Sequence, residues 1–186
     1  HSFPTRRSSD LDYRSFFLEA ISCATASRIV GRAAGRRNLP GIFSAGLLHD
    51  IGRAALWEAV PDLARKVPAG TYGSELIRAE EAIMGLSHTE AGYLLAEHWQ
   101  LPDEIARAIR FHHAPEKAET SREHVAIVAL ADAMVSVSGT RLEDNPKVFA
   151  GLKPALDTLG IDDETAEAML DEFLTRYESA LNDAFG

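Results

Sequence analysis

The run EHVAIVALADAMVSVSG, residues 123–139, is apolar on nearly every side when wound as a helix. A helix without a polar face has to be enclosed by other elements. The rest of the chain supplies them: one-sided helical periodicity recurs throughout, and no strand-type alternation runs far. One all-apolar helix among several amphipathic ones predicts an all-α fold, a helical bundle with short connections.

Residues 12–36 read as one helix, with Phe17, Ile21, Cys23, Ala24 and Val30 near one side and Arg28, Arg32 and Arg36 on a solvated one. Asn38-Leu39-Pro40-Gly41 is a turn. The next helix runs from 42 to His49–Asp50, with a bend expected at Gly52. Pro61 and Pro68 bracket a short helix, and another spans 74–85 and ends near Gly85. Ser87 and Glu90 have the spacing of a capping box. Pro102, Asp103 and Glu104 form a helix start, and Pro115 limits that helix. Asp162 and Asp163 open a final helix with the apolar stripe Met169, Leu170, Phe173, Leu174, Tyr177 and Leu181.

With 186 residues, 46% of them hydrophobic, the chain is long enough for one domain with its own core. A net charge of −9 argues against a nucleic-acid partner. Cys23 is the sole cysteine, which excludes an intrachain disulfide and a multi-thiolate zinc site. No apolar run reaches the roughly 18 residues of a membrane span, so no membrane partner is expected and a cytoplasmic location is the default. Residues 1–11, HSFPTRRSSDL, match the translation of a common sequencing adapter and are expected to be non-native. Residues 12–186 are then expected to be the C-terminal part of a single domain, with an apolar surface exposed where upstream helices would pack.

Four sites place polar groups where the periodicity calls for apolar ones: His49–Asp50, His88, His112–His113 and Asp132. A buried charge or imidazole must be paired, or hold something. Taken singly, each fits a buried hydrogen bond or ion pair. Taken together, neutral imidazoles and carboxylates are a ligand set for manganese, iron or zinc. His88 in the first turn of a helix feels the positive end of the dipole, which favours its neutral, ligating form. His112 follows Ile105, Ala108 and Ile109 at helical spacing and points inward.

The segments AGLLHDIGR, E-x3-G-x2-HTEAG from Glu81, W-x-LP-x2-I-x2-AI-x3-HH-x-P from Trp99, and ALADAM resemble the HDOD family in order and spacing, over roughly residues 12–140. The resemblance implies a helical bacterial signalling domain related to the HD superfamily. It also implies candidate metal ligands at His49, Asp50, His88, His112, His113 and Asp132. The pattern departs from catalytic HD members at two positions. Alignment puts Ile21 where they carry an upstream His, and Arg53 where they often carry Lys. The extended GYP signature of cyclic-dinucleotide phosphodiesterases is absent, since Ala114-Pro115 follow His113. Two readings follow. One is a domain acting mainly through contacts with other signalling proteins, around a degenerate metal site that holds a divalent ion or serves only folding. The alternative is a metal-dependent phosphohydrolase acting on nucleotides or cyclic dinucleotides.

Overall fold

The computed structural model describes residues 13–137, 148–149 and 151–185, with side chains to residue 177. The adapter-like residues 1–11, Ser138 and Gly139, and the Leu181 side chain lie outside the described residues. Those described form α-helices with no strand among them: α1 (Tyr13–Ala33), α2 (Ile42–Leu48), α3 (Ile51–Ala59), α4 (Pro61–Ala64), α5 (Gly73–Met84), α6 (His88–His98), α7 (Asp103–Phe111), α8 (Arg122–Ser136), α9 (Lys153–Leu159) and α10 (Asp163–Phe185). None of these helices is long and apolar enough to cross a membrane.

The all-apolar helix is the hub. Val125 through Ala131 and Met134 of α8 are buried, and α1, α2, α7 and α9 pack around it. The stripe Met169, Leu170, Phe173 and Leu174 of α10 joins the same core. α3 lies on α6, and α6 on α7, as a second layer.

Helix α1 stops three residues short of its expected end. Gly35 takes a left-handed φ of 72°, its N–H bonds Arg32 O at 3.0 Å, and the Arg36 N–H bonds Gly31 O at 2.6 Å. This is the Schellman arrangement, which satisfies the last carbonyls and turns the chain. Arg36 therefore leaves the stripe, pairing with Glu123 at 2.8 Å, while Arg32 reaches Glu172 and Arg28 lies over the Phe43 ring. The apolar side of α1 is also split. Cys23, Ala24 and Val30 are buried, whereas Tyr13, Phe17 and Ile21 repeat every four residues along an exposed stripe with Leu18 beside them.

Ser87 caps α6 by accepting from the Glu90 N–H, but the reciprocal half of the box is not made. The Glu90 carboxylate pairs with Arg110 at 3.1 Å instead. A charged partner across the helix pair competes well against one backbone N–H.

Candidate metal centre

The break between α2 and α3 falls at His49–Asp50 rather than at Gly52. His49 closes α2 and Asp50 opens α3, so both side chains leave the helical ladder at one point and turn into the bundle. Gly52 has a different task. A Cβ there would stand 1.9 Å from the His88 carbonyl oxygen and 2.5 Å from the Gly92 nitrogen. Only glycine lets the α3 and α6 backbones touch, and that contact sets Asp50 beside His88. Gly46 acts likewise between α2 and α1, where a Cβ would meet Ser27 Oγ at 2.5 Å and Ala24 Cα at 2.9 Å.

Three imidazoles are oriented in the same way. His49 Nδ1 lies 2.8 Å from Gly46 O. His112, at the end of α7, has Nδ1 3.0 Å from Ile109 O and 3.2 Å from Ala108 O. His88 Nδ1 lies 2.6 Å from Glu80 Oε2, which also accepts the His88 backbone N–H at 2.8 Å. A carbonyl can only accept, so Nδ1 carries the hydrogen in His49 and His112; the neutral His112 ring leaves Nε2 bare, whereas His49 also carries a hydrogen on Nε2, which it donates to Asp132.

Those nitrogens converge on two carboxylates. His88 Nε2 is 3.3 Å and His112 Nε2 3.7 Å from Asp50 Oδ1. His49 Nε2 is 3.5 Å from Asp132 Oδ1 and 3.9 Å from Asp50 Oδ2. His113 Nδ1 is 3.6 Å from Asp132 Oδ2, and its ring sits 4.1 Å from that of His112. Asp50 Oδ2 is taken by Arg53 Nη1 at 2.8 Å, and the same nitrogen reaches Glu19 Oε2 at 3.4 Å.

Of the six sequence candidates, Asp50, His88, His112 and His113 each bring one ligand atom within 4.8 Å of the others. Ligands at roughly 2 Å from a common ion stand at most about 4.2 Å apart, so small side-chain rotations close this set. His88 Nε2 and His112 Nε2 are fully buried and without a hydrogen-bond partner. An orphaned buried acceptor costs about 1–3 kcal/mol. A divalent ion would remove that cost, so the residues present fit such a group.

Electrostatics separates the rings: burial opposes a charge on His49, but Cys23, Asp50 and a hydrogen bond to Asp132 raise it well above the ordinary imidazole range. Burial, followed by the neighbouring His113 and His49, pushes His112 well below the ordinary imidazole range. Burial also lowers His113, and His88 and His49 add to it. Burial opposes the charge on Asp50, but His49, Arg53, His88 and His112 overcome it and hold its carboxyl well below the usual range. For Asp132 burial is likewise outweighed, chiefly by a hydrogen bond with His49, and its pKa falls to about 2.

Several sequence expectations are revised. Asp132 does not lie deep in the core: its side chain is 29% exposed, because the last turns of α8 border a cavity of about 840 Å3. His49, Asp50, Arg53, His112 and His113 open onto the same cavity. Ile21, expected at the place of the missing upstream ligand, is 51% exposed and does not face the site. Ser15, Leu18, Glu19 and Ser22 are the α1 residues that line it, at the spacing of one helix face. Glu19 thus borders the site and pairs with Arg53.

Glu80 was not among the sequence candidates. The resemblance drew attention to its neighbour Glu81, which is exposed, whereas Glu80 is 4% exposed. The signal was present in α5, where Leu76, Ile77 and Met84 mark the inward face and Glu80 falls on it at helical spacing. His124 instead bonds Pro40 O at 2.8 Å, apart from the cluster. Cys23 is buried against His49, with which it shares a hydrogen bond.

The HDOD domain family model matches residues 1–115. A provisionally named signal transduction protein from Marinobacter aquaeolei VT8 superposes with a TM-score of 0.73 at 21% identity, over 98% of this chain and 41% of that one. An HDOD domain protein of unknown function from Geobacter sulfurreducens gives 0.62 at 21% identity, over 99% of this chain and 65% of that one. A provisionally named phosphohydrolase from Shewanella amazonensis SB2B gives 0.62 at 21% identity, over 88% and 65%. The chain therefore spans less than two thirds of each of these proteins, and at such identity the likeness shows the fold alone.

Proposed function

The chain belongs to the HDOD domain family, and from that premise we propose a signalling domain that holds one divalent transition ion and acts through contacts with other signalling proteins. Asp50, His88, His112 and His113 are its ligands. His49 and Asp132 form a flanking pair that satisfies itself. The observation carrying this reading is the pair of buried, partnerless Nε2 atoms of His88 and His112, both facing Asp50 Oδ1. Ordinary core histidines do not leave their acceptors bare beside a carboxylate.

One ion rather than two is the reading Asp50 favours, because Arg53 already holds its Oδ2 and competes with a second ion for that oxygen. On the His49–Asp132 side, α1 contributes Ser22 to the cavity, where a further imidazole would be needed.

The cavity beside Asp50 and His113 favours a second reading, a metal-dependent phosphohydrolase. The name of the Shewanella amazonensis neighbour is in keeping with it. When bound, a divalent ion supplies Lewis-acid polarisation of a phosphoryl oxygen and an activated water. The chain's own residues would hold the ligand set rigid and leave the cavity side open. Arg53 stays protonated, so it cannot serve as a base.

Metal titration of the purified protein with Mn2+, Fe2+ and Zn2+, followed by assays on phosphodiester and cyclic-dinucleotide substrates, tests both. One bound ion without turnover is the expected result. Turnover that is lost in Asp50→Ala would favour the enzyme reading. No binding of any of the three ions at saturation would overturn the metal centre.

A further inference from the structure

Glu80 stands outside the ligand set and lies on a different helix from every ligand, yet it is buried, more so than Asp50 or His113. Its Oε2 accepts two hydrogens from one residue, the backbone N–H of His88 at 2.8 Å and the ring Nδ1 at 2.6 Å. Burying a carboxylate costs free energy unless donors surround it. Here both donors belong to His88, at the first residue of α6, where unpaired N–H groups and the positive end of the helix dipole also favour a negative partner.

We propose that Glu80 is the positioning residue of the centre: its carboxylate locks the His88 ring as the Nδ1–H tautomer and turns a bare Nε2 toward Asp50. The double contact makes the device specific. The backbone bond anchors Oε2 relative to α6, so the ring bond cannot drift without breaking the cap as well. A ring held through one bond alone can rotate about its Cβ–Cγ axis, and a ring without an acceptor exchanges between tautomers. Carboxylate–histidine pairs of this kind raise the basicity of the ligating nitrogen, and their loss typically costs 10–100-fold in metal affinity. This inference extends the metal reading, but its first consequence, the tautomer, needs no metal.

The test is 15N-edited NMR of the imidazoles in metal-free protein, with His88 assigned by the cross-peaks lost in His88→Gln. The wild type is expected to show an unprotonated Nε2 and a protonated Nδ1. Glu80→Gln keeps an acceptor oxygen and should keep that tautomer. Glu80→Ala should give exchanging tautomers. In Mn2+ or Zn2+ titrations, Glu80→Ala should weaken binding 10–100-fold and Glu80→Gln by less. A protonated Nε2 in the wild type would overturn the proposal. So would a Glu80→Ala variant with unchanged tautomer and affinity. If Glu80→Ala fails to fold, a Glu80→Gln protein with unchanged metal affinity would refute it equally. A wild type that binds no metal yet shows the locked tautomer would sink the metal reading and leave Glu80's role standing.

Discussion

The two sides of the polar cluster use the same residue types to opposite ends. On the α6–α7 side, His88 and His112 are fully buried, each is held through Nδ1, and each leaves Nε2 without a partner. On the α2–α8 side, His49 and Asp132 stand 3.5 Å apart, and Arg53 neutralises the Asp50 oxygen nearest to them. On the first side two buried nitrogens stand without a partner, and under the proposed function they make it a receptor for an ion. The second is a network that has closed on itself. Burial alone does not separate them, since His49 is as enclosed as His112. What separates them is whether each acceptor already has a donor.

The contrast breaks most easily at the receptor side. His88→Ala or His112→Ala should weaken Zn2+ or Mn2+ binding by on the order of 100-fold or more, read by titration calorimetry. Equal affinity in wild type and variant would show that these nitrogens hold nothing. Next in size is Gly52→Ala. Its Cβ would strike main-chain atoms of α6 that cannot swing aside. The expected loss is about 3 kcal/mol, roughly 10 °C in Tm by scanning calorimetry. An unchanged melting temperature would mean that the helix crossing is looser than described.

The closed side can be reopened. Ser22→His places an imidazole on the cavity face of α1 and is expected to add a second ion per chain in metal-content analysis. Ile21→His, on the exposed face, should leave the count unchanged. The opposite result would return the missing ligand to position 21. The smallest effect is expected from Asp132→Ala, under about tenfold in metal affinity, because Asp132 serves His49 and not the receptor. A loss as large as that of His88→Ala would merge the two sides into one site.

The sequence carried the bundle and the cluster's membership well, for a shared reason. An apolar periodic run exposes every polar intruder in it, so His49, Asp50, His112 and Asp132 stood out by contrast. Local register was harder to read. Ile21 and Ser22 are one residue apart, and 100° of helical rotation decides which faces the cavity. Resemblance put Ile21 at the ligand's place, whereas Ser22 is the one that borders the cavity. Glu80 was overlooked because Glu81 follows it, and two adjacent acids on a surface helix look like solvation. Asp132 looked deeply buried because its flanking residues are. No local pattern records that α8 ends beside a cavity. Gly52 looked like a bend because the sequence cannot show what lies across from a glycine.

That glycine has a consequence for how an ion would be held. The Gly52 backbone touches the His88 carbonyl, Asp50 precedes Gly52 by two residues, and His88 is itself a ligand candidate. The gap between the two donors is therefore gauged by one peptide resting on another, and side-chain rotamers can only trim it. An ion held between Asp50 and His88 would thus meet donors whose spacing is set first by backbone contact and adjusted by side-chain rotation.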